Sequence, residues 1–231
     1  MLSDMIASRE VVNAAAVNYT AVLFIRLADQ DSSLENSMPA KTSTRLKDIS
    51  EARMTARQRE LAAEMMKTRG KTTIEGPFGV FLHAPDYGDL AQKLGAHCRY
   101  RTAVPPRLSE FAILVIGRMW RAQFEWYAHA LLAEKAGVTP KTIKDIKAGR
   151  APKSAPKDER AIHDFICELH RTKRVSNKTY GRVHALLGDA GMVEFTGILG
   201  YYTLIAMTLN VFNVKLPDGE ALPFRESVAK R

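Results

Sequence analysis

Hydrophobic positions recur along most of this chain at intervals of three and four, and seldom in strict alternation. From Thr55 onward that rhythm predicts one helix after another. Thr55 and Gln58 have the spacing of a capping box. Leu61, Ala62, Met65 and Met66 form the apolar face of the helix they open, and Gly70 closes it. A connector rich in Gly and Pro follows (GKTTIEGPFGVFLHAPDYGD), after which Asp86 or Asp89 is expected to cap a helix through Leu90, Leu94 and Cys98. Pro105 and Pro106 break the chain, and Arg107 to Gly137 carries a long helical pattern. In VTPKTIKDIKAG, Thr139 reads as the N-cap, Pro140 as the first turn and Gly149 as the stop. Beyond the loop KSAPKDE, Ile162, Phe165, Ile166 and Leu169 mark one helix, and Val183, Leu186 and Leu187 the next. The last segment, EFTGILGYYTLIAMTLNVF, is apolar on most sides and is expected in the core or in a subunit interface. No stretch alternates between hairpin turns, so the expected fold class is all-α.

Residues 1–50 read differently, as a flexible N-terminal extension to a helical domain over 51–231. The apolar run AAAVNYTAVLFIRLA is interrupted by Asn18, Thr20 and Arg26 and follows no basic cluster. It is too short and too polar to span a bilayer and makes a poor secretion signal. DQDSSLENSMPAKTSTRL then has the composition of a disordered linker, within which Met38 is a candidate alternative start. A cytoplasmic location, away from membranes, is expected.

Composition adds limits more than direction. With 46% hydrophobic residues in 231, a sizeable core is expected. The formal net charge is +9, but the Lys and Arg alternate with acids, as in RLKDISEARMTARQRE, and no zinc-finger, RNP-type or basic-zipper pattern accompanies them. This describes a solvated basic surface with a mild attraction for small anionic substrates rather than a nucleic-acid binder. Cys98 and Cys167 form no C-x-x-C and read as free thiols. The six histidines make no H-E-x-x-H, and the glycines make no phosphate loop, so neither a metal nor a nucleotide cofactor is expected.

Candidate chemistry lies in RAQFEWYAHALLAEKAG. Glu125 and His129 stand one helical turn apart, on a stripe with Leu132 and Ala136 beside Phe124, Ala128 and Leu131. Glu110, flanked by Phe111, Leu114 and Val115, is also expected to point inward, with Arg118 two turns beyond on the same face. Buried and unpaired, such groups cost several kcal/mol, so they are expected to hydrogen-bond one another. On spacing alone, a Glu–His pair one turn apart reads as a satisfied structural pair, and Trp120, Trp126 and Tyr127 as ordinary core or interface aromatics.

A family likeness changes that balance. PPRLSEFAILVIGRMWRAQFEWYAHALLAEKAGVT resembles the signature region of the carboxymuconolactone decarboxylase and alkylhydroperoxidase D superfamily. The likeness extends from GPFGVFLHAPDYGDLAQKLG through DERAIHDFICELH to GYYTLIAMTLNVF. The thiol branch of that family carries Glu, eleven residues, Cys-x-x-Cys, three residues and His. Glu110 falls at its Glu and His129 at its His, whereas Ala122 and Glu125 stand where it has cysteines. A thiol peroxidase needs one thiolate to attack the peroxide and a second thiol to resolve the sulfenate, so that activity is not expected here.

The resemblance implies an alkylhydroperoxidase D-like helical fold, assembly into trimers or hexamers, and decarboxylation of lactone acids derived from aromatic breakdown. It also implies that the long pattern breaks near Arg121, placing Ala122 and Glu125 in a helix first turn, where free N–H groups favour a carboxylate. On this footing His129 is the expected proton donor or acceptor, Glu110 orients it, and Glu125 is a second acid/base or positions the substrate. Arg118 or Arg121 would hold an anionic substrate, His83 would either close the pocket or stand as a plain loop histidine, and Gly76 and Pro77 would shape a turn over it. Tyr201, Tyr202 and Asn210 either line the site or pack the core. Two readings stay open: a cofactor-free lyase or isomerase, and a helical oligomer with a binding or protective role whose polar cluster only satisfies itself.

Overall fold

The computed structural model describes residues 45–225. The apolar N-terminal run and Met38 lie outside the described residues, and of the expected extension only 45–50 is seen. There Leu46 packs on the main core and Arg45 donates to the Val211 carbonyl.

Among the described residues the protein is all-helical, with no strand. Eight α-helices follow a short 3-10 turn: α1 (Ala56–Arg69), α2 (Pro77–Phe81), α3 (Pro85–Tyr100), α4 (Pro106–Met119), α5 (Gln123–Lys135), α6 (Pro140–Lys147), α7 (Lys157–Thr172) and α8 (Asn177–Val211). Helix α8 is two helices end to end, because Gly188 (φ 65°, ψ −177°) interrupts the helical backbone. By length and composition it would suffice to cross a membrane, but half of its most apolar stretch is buried inside the fold.

Most starts and stops follow local chemistry. Thr55 and Gln58 form the reciprocal capping box, and Gly70 ends α1 in the left-handed conformation. Thr139 accepts from Thr142 N–H to cap α6, and Pro106 opens α4 from its first position. The chain between α4 and α5 turns at Trp120–Ala122, with Arg121 at φ 50°, so the pattern over Arg107–Gly137 is two helices. Asp86 and Asp89 do not cap α3, which starts at Pro85. Both instead accept from Arg57 at 2.9 Å and fasten α1 to α3.

Helix α4 is the axis of the molecule. Leu108 to Gly117 is buried without a break, and the helix is wrapped by α5, α6, α7 and α8. A smaller cluster of Leu61, Ala62, Met65 and Leu82 seals α1 against α2 and α3. Helix α3 buries the opposite face from the one its leucines predict. Gly88, Ala91, Gln92, Gly95 and Cys98 point inward, while Leu90 is 71% exposed and Leu94 half exposed. The outer face of α8 leaves Val193, Thr196, Gly197, Gly200, Met207 and Val211 exposed without a charged residue among them.

Candidate active site

The site forms where α3, α4, α5 and α8 meet. Glu110 sits one turn inside α4, and α5 returns antiparallel enough to bring His129 against it, with His129 Nδ1 2.8 Å from Glu110 Oε2. From the last turn of α3, Arg99 Nη1 donates to Glu110 Oε1 at 3.2 Å and to the Tyr202 hydroxyl at 3.5 Å, and lies 3.4 Å from His129 Nδ1. The Tyr202 ring meets the imidazole edge-on at 5.2 Å, and Tyr201 meets Tyr202 in the same manner. Glu110, Glu125 and His129 are all buried.

Burial and neighbouring charge set the protonation states. Burial alone would raise the Glu110 carboxyl, but His129 and Arg99 outweigh it and hold the group below the ordinary carboxylate value. An ionised carboxylate only accepts, so the hydrogen between the pair belongs to Nδ1 and the proton-free nitrogen of the neutral ring is Nε2. Burial also lowers the His129 imidazole, partly countered by Glu110. Glu125 goes the other way: burial pushes its carboxyl well above the ordinary value against the pull of Arg99, and the Glu110 charge adds to the rise.

Glu125 is the third residue of α5, whose N-cap is Ala122. Its Oε1 is buried with no hydrogen-bond partner among the described residues. A carboxyl whose burial favours its protonated form and an imidazole whose burial favours its neutral form thus stand one turn apart on a helix. The same burial favours a proton donor at one group and a proton acceptor at the other.

The other expected site residues are placed as follows. Tyr201 is buried beside Tyr202, its hydroxyl pressed against the backbone at Gly95. Gly76 (φ 61°) and Pro77 do form a tight turn, against the Phe124 ring that precedes Glu125. Arg118 and Arg121 are not turned toward this cluster. Arg118 donates to the Lys147 carbonyl and lies over the Phe224 ring, and Arg121 donates to the Arg225 carbonyl. Both are corner fastenings. His83 is exposed at the end of α2, and Asn210 is exposed and donates to the Trp120 carbonyl.

Arg99 is the residue the sequence reading missed. In CRYRT it looks like any cation in the last turn of a helix, where the dipole favours one, so spacing offered no signal for it. Cys98 and Cys167 are free, and burial pushes both thiols up, away from the nucleophilic thiolate. Among the described residues no group of three or more His, Cys, Asp or Glu could hold a metal ion. No family model matches the chain, and no curated protein matches it.

Proposed function

We propose that this chain is a carboxymuconolactone decarboxylase-like protein of the branch without the thiol pair, a cofactor-free acid/base lyase acting on a small lactone or carboxylated catabolite. The observation that carries the reading is a buried Glu125 whose Oε1 has no hydrogen-bond partner among the described residues, one helical turn before a His129 whose Nδ1 is committed to Glu110. In a decarboxylation the bond from carbon to the carboxylate breaks and carbon dioxide leaves. The electron pair moves onto an adjacent carbonyl, and the Glu125 carboxyl gives its proton to the carbon, to be reloaded from water. Arg99 supplies positive charge where the enolate develops, and such stabilisation is usually the largest single contribution to catalysis. Where the reaction is an isomerisation instead, His129 Nε2 takes the proton and Glu125 returns one to another atom of the same ligand.

A peroxidase of the thiol type is disfavoured on the same geometry, since Ala122 and Glu125 occupy the place of its cysteines. The proposed cytoplasmic setting agrees with two unpaired thiols. Self-association into a trimer or hexamer would cover the uncharged outer face of α8, and analytical ultracentrifugation reads it directly. The test of the reaction is carbon dioxide release from a panel of carboxylated five-membered lactones. Release by the wild type and its loss in both His129→Gln and Glu125→Gln support the lyase. Proton exchange at carbon without release supports the isomerase. Absence of both across the panel leaves a binding protein.

A further inference from the structure

A second guanidinium is buried against α3, about two turns before Arg99. Arg69, the last residue of α1, is 8% exposed and lies 4.1 Å over the Phe78 ring. Its Nη1 donates to Gln92 Oε1 at 3.0 Å and its Nη2 to the Gln92 carbonyl at 3.1 Å. Of a guanidinium's five N–H donors, two are thus taken by neutral oxygens, and among the described residues no carboxylate pairs with it. A buried cation normally has an anion beside it, because leaving it bare costs several kcal/mol. The nearest acid along this path, Glu64, accepts from Gln92 Nε2 at 3.1 Å and lies 3.7 Å from Lys93.

Position links this cation to the site. Gln92, Gly95 and Arg99 follow one another on a single face of α3. The Arg69 anchor and the Arg99 end are therefore about 10 Å apart along the helix. Between them the absence of a side chain at Gly95 admits the Tyr201 hydroxyl, which a Cβ there would meet at 2.0 Å. Tyr201 makes no hydrogen bond among the described residues; burial pushes its hydroxyl up, partly countered by the Arg69 charge. One face of one helix thus carries, in order, an unpaired cation, a free hydroxyl and the Arg99–Glu110–His129 group. Two guanidinium ions are set against one ionised carboxylate.

The geometry points to Arg69 as the carboxylate anchor of the site, with Tyr201 beside it, so that the ligand is a monoanion whose acid group is held at Arg69 while its reacting carbon lies toward Glu125 and His129. This rests on the acid/base reading above and adds what that reading lacks, since Arg118 and Arg121 are engaged elsewhere. Arg suits the role because its planar fork matches a carboxylate with two parallel bonds. The excess positive charge also explains why no acid of the protein sits there: the ligand is the missing anion.

The test uses 5-oxotetrahydrofuran-2-carboxylate and its methyl ester as probes, titrated calorimetrically into the full-length protein, Arg69→Gln and Arg69→Lys. Arg69→Gln keeps a donor for Gln92 and removes the charge. The expected result is acid binding weakened about tenfold or more in Arg69→Gln, partly recovered in Arg69→Lys, with the ester equally weak in all three. No carboxylate pairs with the replaced cation, so removing its charge strands no buried acid and offsets the lost contacts with Gln92 and Phe78; the melting temperature of Arg69→Gln is expected to stay close to wild type, which a purely structural arginine would not allow. Equal acid binding in all three proteins, or no preference of the wild type for acid over ester, overturns the assignment. Should Arg69→Gln not fold, the Arg69 Nε–H signal in nitrogen-15 spectra of the wild type decides: it moves with the acid and not the ester, or the assignment falls. The acid/base reading fails separately, if the same spectra show His129 protonated at Nε2 near neutral pH.

Discussion

His129 Nδ1 lies 2.8 Å from Glu110 Oε2, joining α5 to α4 between residues nineteen positions apart. The bond fixes which ring nitrogen carries the proton and aims the other one away from α4. Replacing His129 with Gln keeps a polar side chain near Glu110 but removes the base. Turnover on a true substrate is expected to drop about 10²–10⁴-fold, with a melting temperature close to wild type. A collapse of the fold with the substitution would mark the pair as structural instead, and circular dichroism on heating distinguishes the two.

The pH profile of turnover should have two limbs of different origin. The imidazole must be neutral, and burial lowers it below its ordinary 6.5, so the acid limb lies below that value. The Glu125 carboxyl must be protonated, and burial raises it well above 4.5, so the alkaline limb reports its loss of the proton. Initial rates across pH in a fixed ionic strength check this, and a profile falling on the acid side only would remove Glu125 from the reaction.

Stability should depend on Glu125 in a direction opposite to most carboxylates. Its folded-state pKa is raised, so its contribution is complete below the unfolded value near 4.5 and is lost as pH rises through the folded value. Glu125→Gln cannot ionise. The melting temperature of the variant should therefore gain on wild type progressively toward alkaline pH, and a constant gap from acid to alkaline would contradict the assignment.

Away from the site, Arg107 bridges α4 to Asp158 and Glu159 of α7. Glu159 is fully buried, with Arg107 on its Oε1 and no partner for its Oε2 among the described residues. Arg107→Ala strands that carboxylate and is expected to cost about 3–5 kcal/mol in urea unfolding. Adding Glu159→Gln should recover a substantial part, since the uncompensated charge then disappears.

Gly76 offers a backbone test next to the chemistry. Its φ of 61° disfavours any side chain, and a Cβ would lie 2.5 Å from Phe124 Cε1. Gly76→Ala should destabilise by about 1–3 kcal/mol and reduce activity as well, because Phe124 leads directly into Glu125. Urea denaturation alongside turnover separates the two effects.

These outcomes also mark what sequence could and could not tell. Caps and breaks were legible because their chemistry is local: Thr55, Gly70, Thr139 and Pro106 act within a turn of themselves. The inner face of α3 was not. Apolar periodicity selects Leu90 and Leu94, yet the buried side is built from Gly88, Ala91 and Gly95. The reason is close approach, since a Cβ at Gly88 would meet the Phe81 carbonyl at 2.7 Å and one at Gly95 the Tyr201 hydroxyl. Hydrophobicity carries no record of how near a neighbour stands. Glu110, Glu125 and His129 were legible as inward-pointing polar residues on apolar stripes. Arg69 and Arg99 were hidden, both being cations in a final helical turn, where an exposed residue would look the same.

The turn at Arg121 holds a last consequence. Gln123 exchanges two hydrogen bonds with the backbone of Phe224, whose ring packs on Trp126 at 5.2 Å, while Arg121 and Arg118 reach the same C-terminal stretch. The bend that aims α5 back at α4 is thus clasped by chain from the far end of the molecule. Proteolytic clipping ahead of Leu222 would leave every acid and base in place yet slacken the hinge that aligns them, so the stretch through Phe224 becomes a condition for proton transfer at residues it does not itself supply.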